Sequence, residues 1–226
     1  KTDALCILTY GQDQLGVAYS SYVTARRAGF NIRFAFCDES LENAATYMLP
    51  CYKGTNVMPR EKYLELRNSV YNGATLYISY GGGIISEFEE LVGLRIELTE
   101  QGDFSGKTNV NGKSVSYTQS SRLVFSETSA EVLLRDESGR VLLSKNSYGN
   151  GTVYFLAFSP EEMLLGKNAA FNGNEAEIYK MIFENVTVNH PIKTRNESLF
   201  VTNHYDKNSL YCVISNYSDN PQPLEF

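Results

Sequence analysis

The sequence predicts an α/β protein built on an open parallel sheet with helices on both faces, followed by a C-terminal antiparallel β hairpin or partial β domain. Three observations predict it. Near-continuous apolar runs such as ALCILTY (4–10) and ATLYISY (74–80) have the pattern of strands buried on both faces. Stretches of helical periodicity alternate with those runs. Farther on, hairpin-type turns at ESG and YGNG and an alternating tail mark antiparallel pairing.

The elements follow in order. The run at 4–10 is the first strand. After Gly11, Leu15, Tyr19, Tyr22 and Ala25 recur at three- and four-residue spacing up to Gly29, which predicts an amphipathic helix with these residues as its apolar stripe. FNIRFAFCD is a second strand, LENAATYM a short helix and YMLPCY a short third strand. Pro59 opens the next helix, with Glu61 in its first turn, Arg67 late and Gly73 past its end. The strand 74–80 then runs into Gly81, Gly82 and Gly83. Ser86 and Glu89 have the spacing of a capping box for a further helix. The region of about 95–150 reads as a β-rich excursion of short strands. EAEIYKMIFENV is the last helix, with Ile178, Ile182 and Phe183 on one side. Residues 1–188 form one expected domain, and 189–226 a partial C-terminal β domain. That tail is too short to bury a core of its own.

Composition narrows the function. At 226 residues, 20 Lys and Arg stand against 26 Asp and Glu, and no basic face emerges, so nucleic acid is not an expected partner. No apolar run reaches the roughly 20 residues of a membrane span. Four scattered cysteines (Cys6, Cys37, Cys51, Cys212) read as structural thiols, and two histidines (His190, His204) are too few for a histidine-rich metal site. No cofactor or metal is expected. The chain begins at Lys1 without an initiator Met or signal peptide, the pattern of a processed product or, in the favoured reading, of a piece of a longer protein. The compartment stays open between cytoplasmic and secreted.

The three glycines pose the functional question. A phosphate loop would need a following Lys, and a dinucleotide loop the spacing G-x-G-x-x-G; neither is present. Glu87, Glu89 and Glu90 would also repel an anion at that helix start. A nucleophile elbow would need a base beside Ser79, and the only candidates are the two distal histidines. Glycines that simply turn the chain above a sheet account for the segment.

This strand-glycine-helix unit, together with GTVYFLAFSPEE, resembles the class I glutamine amidotransferase (flavodoxin-like) fold. In that family the turn carries Cys-x-Gly, and a later strand ends in Phe-His-Pro-Glu. The matching positions here are Ser79-Tyr80-Gly81 and Phe158-Ser159-Pro160-Glu161. The resemblance therefore implies a scaffold whose thiol and imidazole are gone and whose Glu161 is left as a helix-start residue. No amidotransferase chemistry is expected.

LRNSVYNGATLYISYGGGIISEFEELVGLRIE and SAEVLLRDESGRVLLSKNSYGNGTVYFLAF are also similar to the trimerisation domain of β-galactosidase-type glycoside hydrolases. The tail resembles the start of the small β domain that follows it. Ala74 and Ser86 depart from that pattern, where a glycine and an aspartate are common. The resemblance implies a non-catalytic accessory or oligomerisation portion of a β-galactosidase- or cellulase-like glycoside hydrolase, with an upstream glycosidase barrel and a homo-oligomer as partners. Two other readings stand beside it: a carbohydrate-binding module using surface Tyr rings, and a cryptic hydrolase dependent on Ser79.

Overall fold

The structure is a computed structural model that describes residues 3–165, 172–184, 196 and 198–224. The chain runs β1 (Ala4–Leu8), α1 (Gln14–Arg27), β2 (Ile32–Phe36), β3 (Thr46–Tyr52), α2 (Arg60–Tyr71), β4 (Thr75–Tyr80) and α3 (Phe88–Val92). There follow β5 (Leu94–Val110), β6 (Lys113–Glu127), β7 (Glu131–Arg135), β8 (Val141–Tyr148) and β9 (Gly151–Leu156). The chain ends with α4 (Pro160–Met163), α5 (Ala176–Phe183), β10 (Leu199–Asp206) and β11 (Ser209–Asn216). The central sheet has the order β2-β1-β3-β4-β9-β8-β7. Its first five strands are mutually parallel, and β8 and β7 add an antiparallel edge. The expected α/β class is the observed one.

Alternation along the buried strands explains why helices cover both faces. Leu5, Ile7, Leu76 and Ile78 point to the face packed by Tyr63, Leu66 and Val70 of α2 and Phe88, Leu91 and Val92 of α3. Cys6, Leu8 and Tyr77 point to the other face, under Val17 and Ala25 of α1 and Ile178, Tyr179, Ile182 and Phe183 of α5.

Three local expectations need correction. Helix α1 forms, but Leu15, Tyr19 and Tyr22 of the expected apolar stripe point to solvent, at 83, 50 and 39% exposure. The inward side carries Val17, Ser20, Ser21, Val23, Thr24 and Ala25, because small residues let the helix lie close to the sheet and Ser20 and Thr24 satisfy their hydroxyls on helix carbonyls. Residues 41–45 do not form the expected helix. One turn there would not repay nucleation, and the Tyr47 hydroxyl instead ties the segment by accepting from Ala44 N–H and donating to Glu42 O. The β-rich stretch divides: β7, β8 and β9 join the main sheet, while β5 and β6 form one long ribbon rather than several short strands.

The ribbon is fastened at its far end. Val110 and Val115 enter the α1/α5 core. Tyr117 stacks on Phe158 at 4.9 Å and donates its hydroxyl to Asp136 at 2.7 Å. Asp136 also accepts from Arg140 Nε at 2.7 Å and from the backbone N–H groups of Ser138 and Arg140. The tail hairpin β10–β11 pairs only with itself among the described residues. It docks by Phe200, which packs with Val23 and Leu164, and by Arg26, which donates to Val201 O at 2.7 Å and Thr202 Oγ1 at 3.0 Å.

Two expected outcomes test this packing. A methyl group at Gly151 would press into the carbonyl oxygens of Val70 and Ala74, so Gly151→Ala should cost about 1–3 kcal/mol, read as a lowered Tm. Burial pushes the Asp136 carboxyl up, but the bonds from Tyr117, Arg140 and Ser138 outweigh it and hold the group below its usual range. A folded-state pKa that is lowered gives stability above the unfolded value of about 3.9 and loses it as pH falls through the folded value. Urea unfolding between about pH 2 and 6 should show wild type weakening in the acid limb. Asp136→Asn should be less stable at the upper end and flatter below it.

Candidate functional site

The carboxyl ends of β3, β4 and β9 meet at one edge of the sheet, where open α/β sheets hold their ligands. The strand-to-helix turn lies here, and it is closed. Strand β3 slips register against β4 between Leu49 and Tyr52, with Cys51 in a left-handed conformation (φ 49°). That slip brings the Tyr52 carbonyl over the glycines, where it accepts from Gly81 N–H at 3.0 Å and Gly83 N–H at 2.9 Å. Two backbone donors that could face an oxyanion are thereby taken. Glycine is needed for this approach: a Cβ at Gly81 would meet Cys51 Sγ at 2.7 Å, and one at Gly83 would meet Gly54 O at 2.8 Å.

Beneath the turn lies a buried polar cluster. Glu161, in the first turn of α4, is 0% exposed. Its Oε1 accepts from Tyr77 at 2.8 Å and Tyr179 at 2.5 Å. Its Oε2 accepts from Ser79 at 2.7 Å and Ser159 at 2.8 Å. Four hydroxyls thus fill both oxygens. Burial, reinforced by the Glu161 charge, pushes both tyrosine hydroxyls well above their usual range, so they remain donors. Ser159 also caps α4 by accepting from Glu162 N–H at 3.1 Å. The backbone carbonyl of Glu161 accepts from Ser20 Oγ at 2.8 Å, which ties in α1.

All four positions of the sequence-matched triad segments are located by this arrangement. Ser79 is fully buried, and its hydroxyl accepts from Cys51 N–H at 2.7 Å while donating to Glu161. Tyr80 turns to the other face and shares a hydrogen bond with Ser121 of the ribbon at 3.1 Å. Ser159 and Glu161 join Ser79 directly. Glu161 does start a helix, as expected, but it is also the acceptor for the whole cluster. His204 is exposed on β10, opposite Tyr211, and His190 lies outside the described residues. The Cys51 thiol is pushed up to about 12 by burial and by the charges of Glu162 and Glu161, so it is protonated at neutral pH.

The capping box does not form. Helix α3 starts after Glu87, which is left-handed (φ 57°), and no side chain caps it. Glu89 reaches Arg95 instead, with contacts of 2.8 and 3.0 Å. The Ser86 carbonyl accepts from Tyr63 at 2.6 Å, which sets the chain direction into the turn. A charged partner and a fixed backbone carbonyl outcompete the neutral cap. Sequence reading missed Tyr77, Tyr179, Ser20 and Cys51. The available signal was weak: hydroxyls inside apolar runs, which read equally well as core.

Among the described residues, no group of three or more His, Cys, Asp or Glu is placed to hold a metal ion. None of their helices is long and apolar enough to cross a membrane.

No family model and no curated protein matches this chain. Solved structures do. A catalytic mutant of Gan42B, a GH42 β-galactosidase from G. stearothermophilus, overlays with TM-score 0.73 at 12% identity, covering 97% of this chain and 35% of that one. The β-galactosidase from Rahnella sp. R3 gives 0.71 at 14%, covering 96% and 36%. The exo-β-1,4-mannosidase Op5Man5 from Opitutaceae bacterium strain TAV5 gives 0.65 at 13%, covering 79% and 35%. The likeness shows the fold. The chain spans about a third of the length of the structures it matches.

Two measurements check the cluster. Tyr77→Phe should cost about 1.5–3 kcal/mol, one bond to a charged acceptor, and Glu161→Ala about 4 kcal/mol or more by stranding four hydroxyls. In the native protein iodoacetamide should modify the half-buried Cys212 and spare Cys6, Cys37 and Cys51 until the chain is unfolded.

Proposed function

We propose that this chain is a non-catalytic accessory portion of a glycoside hydrolase of the β-galactosidase kind, acting in subunit association or in walling a neighbouring barrel. The observation that carries this reading is the overlap itself: almost all of the chain superposes on about a third of a β-galactosidase. Retaining glycosidases use two carboxyls about 5–5.5 Å apart across an open cleft, whereas Glu161 is sealed and saturated by hydroxyls. The buried Ser79 hydroxyl, held by Glu161 and Cys51, also speaks against the Ser79-dependent reading. Association is supported by the outward stripe Leu15, Tyr19 and Tyr22 on α1, an apolar surface of the type that interfaces cover.

The isolated chain should give no turnover of aryl galactosides or mannosides, no labelling of Ser79 by a serine-directed fluorophosphonate, and concentration-dependent self-association by light scattering. Leu15→Glu with Tyr19→Glu should reduce the association without unfolding the chain. Saturable hydrolysis abolished by Ser79→Ala would overturn the non-catalytic reading. A strict monomer that also fails to bind a β-galactosidase barrel would overturn the accessory one.

A further inference from the structure

A cleft of about 550 Å³ opens between the ribbon and α4, next to the closed turn. It is in the size range of small-molecule sites. The ribbon pairing is interrupted between Gln101 and Phe104, where Gly102 has φ +149°. Such a bulge breaks alternation and re-aims side chains. Asp103, Phe104 and Ser105 of β5 line the cleft together with Thr118, Gln119 and Ser120 of β6. Gln119 lies opposite Phe104 in the register and lines it too; its Oε1 is buried without a hydrogen-bond partner. Glu162, Met163 and Leu165 form the facing wall.

The chemistry of these walls selects a ligand class. Asp103 and Glu162 offer acceptors, while the ring of Phe104 with Met163 and Leu165 offers an apolar surface. Arg122 covers one side of that ring at 4.1 Å and itself pairs with Glu100. On the other wall Glu162 is paired with Lys53. Two carboxylates without a free cation disfavour an anion, and hydroxyls over an apolar patch suit a ring with O–H edges and a C–H face. We propose that this cleft binds a neutral saccharide of one or two units. The cleft chemistry carries this without reference to a barrel, so it stands or falls separately from the accessory role.

The test is a titration of the intact chain with glucose, cellobiose, glucosamine and glucuronate, followed by amide and Met163 methyl NMR. Glucose and cellobiose should shift resonances around Phe104, Gln119 and Met163, with dissociation constants of about 1–10 mM. Glucuronate should leave them unmoved. Phe104→Ala and Asp103→Asn should each weaken binding at least about fivefold, with folding checked by near-ultraviolet circular dichroism. Four results would overturn the proposal. They are no shift with the neutral sugars, shifts located elsewhere, equal binding of glucuronate, or binding of glucosamine alone, which would reassign the cleft to cations.

Discussion

The structure depends on one buried carboxylate. An ionised group in a low-dielectric interior is costly unless its lone pairs are filled, and Glu161 is filled by Tyr77, Ser79, Ser159 and Tyr179. Those residues come from β4, the loop after β9 and α5, and the Glu161 carbonyl adds Ser20 of α1. The cluster therefore fixes, at one point, the junction of the sheet with the helices of one face. Charge-assisted bonds are about twice as strong as neutral ones, so a set of hydroxyls can replace the cation usually expected beside a buried acid.

The same cluster determines what the carboxyl edge can do. With the Ser79 hydroxyl held by Glu161 and Cys51, and the glycine N–H groups given to Tyr52, the turn is occupied by its own protein. The hydroxyl and the backbone donors of this turn are engaged in contacts within the chain. The ribbon completes this by bringing Ser121 against Tyr80 and stacking Tyr117 on Phe158. A cleft lies between the ribbon and α4.

Much of the fold was legible in the sequence. Continuous apolar runs identified β1 and β4, since a strand covered on both faces has no polar side to show. Pro59 and Gly73 bracketed α2, with Pro59 one residue before its first turn. The failures have physical causes. The Leu15–Tyr19–Tyr22 stripe has the right period but faces water, because packing chose the smaller side of α1. The capping-box spacing at Ser86 and Glu89 was real, yet Arg95 offered Glu89 a stronger partner. Residues 41–45 lacked the length to nucleate a helix.

What the sequence determined by itself is the α/β alternation, the glycine turn and the absence of a thiol and an imidazole at the matched positions, all of which are local patterns or plain residue identities. The tertiary structure alone decided which hydroxyls converge on Glu161, which side of α1 is buried, and that β5 and β6 extend as one ribbon. Those outcomes depend on contacts between residues as far apart as Ser20 and Glu161, and no local period encodes such a meeting.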